Sequence, residues 1–304
     1  MKKVIWISFL VLALSLPSIG MAASVGNIAD TQGGLGKFSL GVEYDSVFNR
    51  DLKFKSGTMS FTAGSVTESE PYPSTGDSIK DMKLKVNRLF LKGTLGLHPN
   101  IDLFLKLGMA DAKWKNKYVS PGSPDEKNEF DGGNDFAYGG GIKAKIFESS
   151  GGLRVMADGQ YLRYEVDGDY KVDGKDLAQV LRESLRESLI DEGVTVTTVT
   201  ASYNSKTKIQ EWQVALYVNQ TFGSFSPYVG VKYSDIMVKN ETNFSGLADG
   251  VTFSGKLDGK AKADKNFGVV AGADVYLIPK RLSVSIEGRF IDETAGTIGV
   301  TYRF

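Results

Sequence analysis

Apolar and polar side chains alternate strictly along "KFSLGVEYD": Phe38, Leu40, Val42 and Tyr44 fall on one side of an extended chain, and Lys37, Ser39, Gly41 and Glu43 on the other. A period of two is that of a β-strand with one apolar face. The pattern recurs in "LFLKGTLGL", "IDLFLKLGM", "FAYGGGIKAKI", "LRVMADGQY", "WQVALYVNQ", "PYVGVKYSD", "FGVVAGADVYL", "LSVSIEGRF" and "TIGVTYRF", which predicts ten strands. The phase is not clean everywhere. In "MKLKVNRLFLKG" the apolar set moves from Met82, Leu84 and Val86 to Leu89 and Leu91, so either a bulge sits near Asn87 or the first part belongs to a loop.

The connections sort by length. "HPN", "ESSGG", "GSFS" and "PKR" are tight turns, whereas four of the five connections on the other side run to 20–40 mostly polar residues, and only the last, near "IDETAG", is short. A soluble β-sandwich would also alternate, but its loops would have no reason to sort by parity. Short turns at one end, long loops at the other, and strands of about the 9–11 residues needed to cross a bilayer predict an all-β, transmembrane, antiparallel up-and-down barrel of about ten strands. In lipid every backbone donor and acceptor must be satisfied within the sheet, so the first strand has to pair with the last.

Composition narrows this further. "MKK", the apolar "VIWISFLVLALSL" and the small residues of "GMAA" read as a signal peptide over residues 1–22, followed by a short periplasmic segment, 23–35, and the barrel domain, 36–304. No later run reaches the roughly 18 apolar residues of a spanning helix. With no Cys the fold holds by packing and hydrogen bonding alone. The 36 basic and 36 acidic residues cancel, which argues against a nucleic-acid partner.

Signal peptide, alternating strands, alternating connection lengths and a terminal Phe304 together resemble the bacterial outer-membrane β-barrel proteins, a porin-like superfamily of barrel domains, over essentially the whole mature chain. "DFAYGGGIKAKIF", "PYVGVKYSD" and "NFGVVAGADVYL" are similar to strands of that class and bring no activity with them. The resemblance implies the bacterial outer membrane, reached by cleavage of the signal peptide, with outer-membrane lipid and the barrel-assembly machinery as partners and a monomer as the expected state. Tyr302 and Phe304 are similar to the signal by which that machinery recognises its clients, and they fall where a periplasmic aromatic girdle is expected.

If the apolar set faces lipid, the other set lines the lumen. It includes Glu43, Lys106, Lys143, Asp158, Glu211, Lys232, Asp274, Glu287 and Arg289, with Lys92, Lys145, Gln160, Gln213 and Tyr217 beside them. These residues form either a salt-bridge network that fills a narrow barrel or the walls of a pore. For the pore speak Gly108, Ala110, Gly139, Gly141, Gly230, Gly268 and Gly272, inward positions with almost no side chain that would leave room for water. A slight excess of Lys and Arg there predicts weak anion preference.

No catalytic apparatus stands out. Barrel proteases and acyl-transfer enzymes depend on a His near the outer rim, and His98 lies in the "HPN" turn at the opposite end. "DGDYKVDGKD" has Lys171 where a calcium loop needs a ligand, and no Glu closes the spacing, so no metal and no cofactor is expected. In "KDLAQVLRESLRESLIDEG" Leu177, Val180, Leu181, Leu185 and Leu189 recur at helical spacing after Asp176, predicting an amphipathic helix over about 175–192 whose stripe packs as a lid, against another loop, or on a partner or lipid surface. The strand after it, "VTVTTVTASYNSKTKIQEWQVALYV", is longer than a bilayer crossing, so sheet extends beyond the membrane. The chain reads as non-enzymatic: a narrow porin-like channel for small solutes, or a structural or adhesin-like barrel with a filled lumen and surface ligands. An outer-membrane hydrolase is the third reading.

Overall fold

The computed structural model describes residues 35–191 and 198–304; the expected signal peptide and nearly all of the 23–35 leader lie outside them, as does Gly193. The strands are β1 (Phe38–Ala63), β2 (Val66–Pro71), β3 (Ser78–His98), β4 (Ile101–Val119), β5 (Glu126–Gly132), β6 (Asp135–Glu148) and β7 (Leu153–Val172). A two-residue β8 (Lys175–Asp176) leads into helix α1 (Leu177–Asp191). Then come β9 (Val199–Gln220), β10 (Phe225–Ala248), β11 (Val251–Ala263), β12 (Phe267–Ile278), β13 (Leu282–Phe290) and β14 (Thr294–Arg303).

At the short-turn end ten strands close a ring in the order β1, β3, β4, β6, β7, β9, β10, β12, β13, β14, each antiparallel to its neighbours. The last strand pairs with the first from Ser39↔Arg303 to Asn49↔Thr294, which removes the free edges that lipid would leave unsatisfied. The ten alternating segments are the strands of this ring.

The long connections are largely sheet. β12, β13 and β14 stop where the apolar band ends, and β11 takes their place between β10 and β1, while β5 replaces β6 between β4 and β7. A second closed ring of eight strands, a collar, therefore continues the wall from β1, β3, β4, β5, β7, β9, β10 and β11.

The phase slip on β3 follows from this change of level. Its pairing with β4 runs without a shift from Lys83↔Lys115 to Gly96↔Asp102, so no bulge on this pairing explains it; the irregularity lies on β1, between Val47 and Arg50. Below Asn87, Leu89 and Leu91 face outward and Arg88, Phe90 and Lys92 are buried; above it, Lys83 and Lys85 face outward and Met82, Leu84 and Val86 are buried. The backbone alternation never breaks. What inverts is the surroundings: outside changes from lipid to water, and inside from a polar lumen to an apolar core. β4 does the same, from outward Leu105, Leu107 and Met109 to outward Lys113 and Lys115 with Ala112 and Trp114 buried.

Aromatic rings border the apolar band. At the short-turn end Phe38 stacks on Phe304 at 5.7 Å, and at the other end Tyr233 stands between Trp212 (5.3 Å) and Phe267 (5.0 Å). Such girdles belong at membrane interfaces, where an amphipathic ring is favoured.

The interior as candidate functional site

Alternation along the strands turns Glu43, Lys106, Lys143, Asp158, Glu211, Lys232, Asp274, Glu287 and Arg289 inward, and every one of them is buried. Towards the short-turn end Glu43 joins Lys92 (3.2 Å) and Lys106 (2.8 Å), and both ammonium groups lie over the ring of Phe104. Lys143 and Asp158 face each other in register on β6 and β7. Asp274 sits opposite Ser226 on one side and Ser285 on the other. Glu287 accepts a hydrogen bond from the Tyr228 hydroxyl at 2.8 Å.

Below the collar the charges form a closed circuit. Arg50 binds Glu211; Glu211 binds Arg88 (3.0 Å); Arg88 reaches Asp45 (3.4 Å); Asp45 faces Arg289 (3.8 Å); Arg289 binds Glu293 (2.8 Å); and Glu293 returns to Arg50 (3.3 Å). Six alternating charges from β1, β3, β9, β13 and the β13–β14 turn thus span the lumen. Lys232 closes the arrangement against Asp292 at 2.7 Å and against Glu293. Taking so many charges from water is costly, and the cost is offset only when each is paired with good geometry.

The β13–β14 turn supplies the two carboxylates by folding into the barrel. Ile291 adopts φ 85°, a region hard to reach for a branched residue, and its side chain stays outside while Asp292 and Glu293 are buried. A ten-stranded ring has a wider interior than the eight-stranded one that side chains alone just fill, and this turn occupies the difference.

Two expectations are corrected. The inward glycines do not leave room for water, because large side chains and neighbouring strands occupy it. A Cβ on Gly141 would stand 2.6 Å from the Phe104 ring, one on Gly230 2.4 Å from the Tyr217 Cβ, and one on Gly272 2.5 Å from the Tyr228 hydroxyl. Nor is there an excess of basic groups: among the described residues eight Lys and Arg are buried against nine Asp and Glu, which removes the basis for anion preference.

Above the circuit the collar holds an apolar core. Trp114 stacks on Phe130 (5.8 Å) and meets Tyr170 edge-on (5.6 Å), its indole N–H donating to Thr207 Oγ1 at 3.0 Å, among Leu84, Val86, Ile209, Ile236 and Val238. A cavity of about 30 Å³ among Phe54, Tyr72, Trp114 and Tyr170 has space for one or two waters. Helix α1 covers this core: Asp176 caps it by accepting from the Ala178 N–H (2.9 Å), Leu177 joins the core and Leu181 packs against it. Of its stripe, Leu177 and Leu181 pack on the collar's own core, while Val180, Leu185 and Leu189 stay half-exposed. The Tyr203 hydroxyl donates to Asp176 at 2.8 Å, and burial, with that carboxylate beside it, pushes it up to about 12.

Sequence reasoning missed Asp45, Arg50, Arg88, Asp292 and Glu293. Asp45 and Arg88 share parity with Glu43 and Lys92, so counting by twos reaches them. Arg50 lies beyond the β1 irregularity, and Asp292 and Glu293 in a turn, where no periodic signal exists. His98 stays in its short turn, its Nδ1 accepting from the Asn100 N–H at 3.3 Å. Among the described residues no group of three or more His, Cys, Asp or Glu side chains is placed to hold a metal ion.

No protein-family model and no curated protein matches the chain. Among solved structures, similar ones are outer-membrane β-barrels. The outer membrane protease OmpT from Escherichia coli is 11% identical, with 92% of this chain and 100% of that one covered and a TM-score of 0.44. The outer membrane protein OprG from Pseudomonas aeruginosa is 10% identical, with 90% and 98% covered and a TM-score of 0.35. The translocator domain of the autotransporter NalP from Neisseria meningitidis is 13% identical, with 88% and 89% covered and a TM-score of 0.37.

Proposed function

We propose that this chain is a non-conducting, non-enzymatic barrel of the bacterial outer membrane, whose role is to hold the eight-stranded collar and its helix at the cell surface as a structural and surface-interaction element. The observation that carries this reading is the six-charge circuit across the lumen, with the apolar collar core stacked on it. An ion entering would have to part buried, mutually paired charges and then cross a packed aromatic layer, and each step costs several kcal/mol. The narrow porin-like channel loses its support with the glycine space.

Reconstitution into planar bilayers tests this directly. The expected result is a membrane indistinguishable from lipid alone, while stable unitary steps with a defined reversal potential would restore the channel reading. A surface hydrolase would instead be revealed by activity that disappears when a carboxylate at the collar rim is replaced.

In this reading the short turns and both termini face the periplasm, and the closing strand carries the assembly signal. Phe304 stacks on Phe38 and meets Tyr302 edge-on at 5.1 Å, and its N–H donates to the Phe38 carbonyl at 3.1 Å. Deleting Phe304 removes two aromatic contacts of about 0.5–1.5 kcal/mol each, a modest loss for a folded barrel. The fraction of newly made chain that reaches the heat-modifiable, folded form in the outer membrane is expected to fall much further than this energy accounts for. Normal insertion of the truncated chain would remove the assembly role.

A further inference from the structure

Outside the collar, just above the apolar band, lysines stand directly opposite lysines. Lys85 pairs with Lys113 and Lys83 with Lys115 across β3 and β4, which sets four ammonium groups in a two-by-two patch. Like charges placed so are destabilising in a sheet. The patch lies in a concave part of the wall, about 500 Å³, lined by five lysines, Lys171 included, and by Glu129 and Asp131; Asp51 stands opposite Lys83 at its β1 edge, and Asp111 lies between Met109 and Lys113 below it. Asp131 is engaged by Lys113 at 2.6 Å.

A charged surface kept merely for solubility intersperses both signs, and the opposite side of the same collar does so. There Lys206 lies between Glu165 (3.8 Å) and Asp167 (3.3 Å), and Lys256 between Glu241 (3.5 Å) and Asp258 (3.1 Å). The pairing of lysine with lysine is confined to β3 and β4, the strands whose lower halves carry the exposed row Leu89, Leu91, Leu105, Leu107 and Met109. On both strands the first outward lysine follows the last outward apolar residue by four positions, Leu89 to Lys85 and Met109 to Lys113. That is about 13 Å along a strand at roughly 3.3 Å per residue, the level of a headgroup above its acyl chains.

We propose that this face is a lipid-binding site: acyl chains lie along the Leu89–Met109 row, and the phosphomonoester of an anionic headgroup sits among Lys83, Lys85, Lys113 and Lys115. The phosphate supplies counter-charge between the two lysine pairs, whose carboxylate neighbours lie only at the edges of the patch, and the apolar row below supplies the orientation. The site rests on the band facing lipid and not on the lumen being closed, so a conductance measurement leaves it untouched.

The test uses the full mature chain, folded in neutral-detergent micelles doped with phosphatidic acid or with phosphatidylcholine of the same acyl chains, with retained lipid read by native mass spectrometry. The wild type is expected to keep phosphatidic acid in preference. Lysines near a membrane surface contribute about fivefold each in affinity for anionic lipid, so the triple variant K83Q/K85Q/K115Q, which spares the Lys113–Asp131 pair, should lose at least about tenfold. The control variant K206Q/K256Q should retain the lipid as the wild type does. In neutral detergent alone the triple variant should melt close to the wild type, because relief of the Lys–Lys repulsion offsets the loss of the lysines opposite Asp51 and Glu129. The proposal is overturned by equal retention in the triple variant, by an equal loss in the control, or by a markedly lower melting temperature of the triple variant without lipid. Displacement of the lipid by millimolar inorganic phosphate would likewise overturn it, leaving only a small-anion site.

Discussion

Glu293→Ala is expected to cost the folded barrel about 3–5 kcal/mol, the usual penalty for stripping one partner from a buried ion pair. Glu293 is the acceptor shared by Arg50, Lys232 and Arg289, all buried, so its loss leaves three buried cations with incomplete counter-charge. Urea unfolding in micelles, followed by tryptophan fluorescence, measures it. Adding Lys232→Met should recover part of the loss, with a coupling well above the 0.5 kcal/mol or so of independent sites. A loss below about 1 kcal/mol would mean that water hydrates the circuit, and the closed-lumen reading would fail with it. The single variant should still be non-conducting, because the collar core blocks the path above.

Trp114→Ala is the second large effect, about 3–5 kcal/mol from lost burial and the cavity left behind. Its position predicts more than the size. Trp114 stacks on or bonds to Phe130, Tyr170 and Thr207, all in the collar. Hydrogen exchange should therefore rise first in β5, the upper half of β7 and α1, while amides beside Leu89–Leu95 and Leu103–Met109 stay protected. Uniform loss of protection through both levels would show that collar and band unfold as one unit.

How far this architecture could be read beforehand depends on which residues one asks about. The ten band strands were legible because lipid rewards an unbroken outward row such as Leu103, Leu105, Leu107 and Met109. The inward set was legible for the same reason by subtraction, from Glu43 through Arg289. The collar was legible only in the excess length of β9; Lys83, Lys85, Lys113 and Lys115 look like loop residues until one knows that the outer solvent has become water. Filling was also hidden, since Gly141 and Phe104, or Gly230 and Tyr217, fit together across strands and share no local pattern. Asp292 and Glu293 reach the lumen only because Ile291 takes its left-handed conformation, a feature of backbone geometry that hydropathy does not carry.

The inversion of faces along β3 and β4 has a consequence for assembly. Sliding either strand by one residue would push Lys92 or Lys106 into hydrocarbon at one level and, at the other, expose Leu84 or Trp114 to water while burying lysines in the collar. A barrel with a uniform lumen penalises such an error once. Here each strand passes through two solvents of opposite demand, so a mispaired hairpin is rejected from both ends, and correct alignment is checked twice along one stretch of chain.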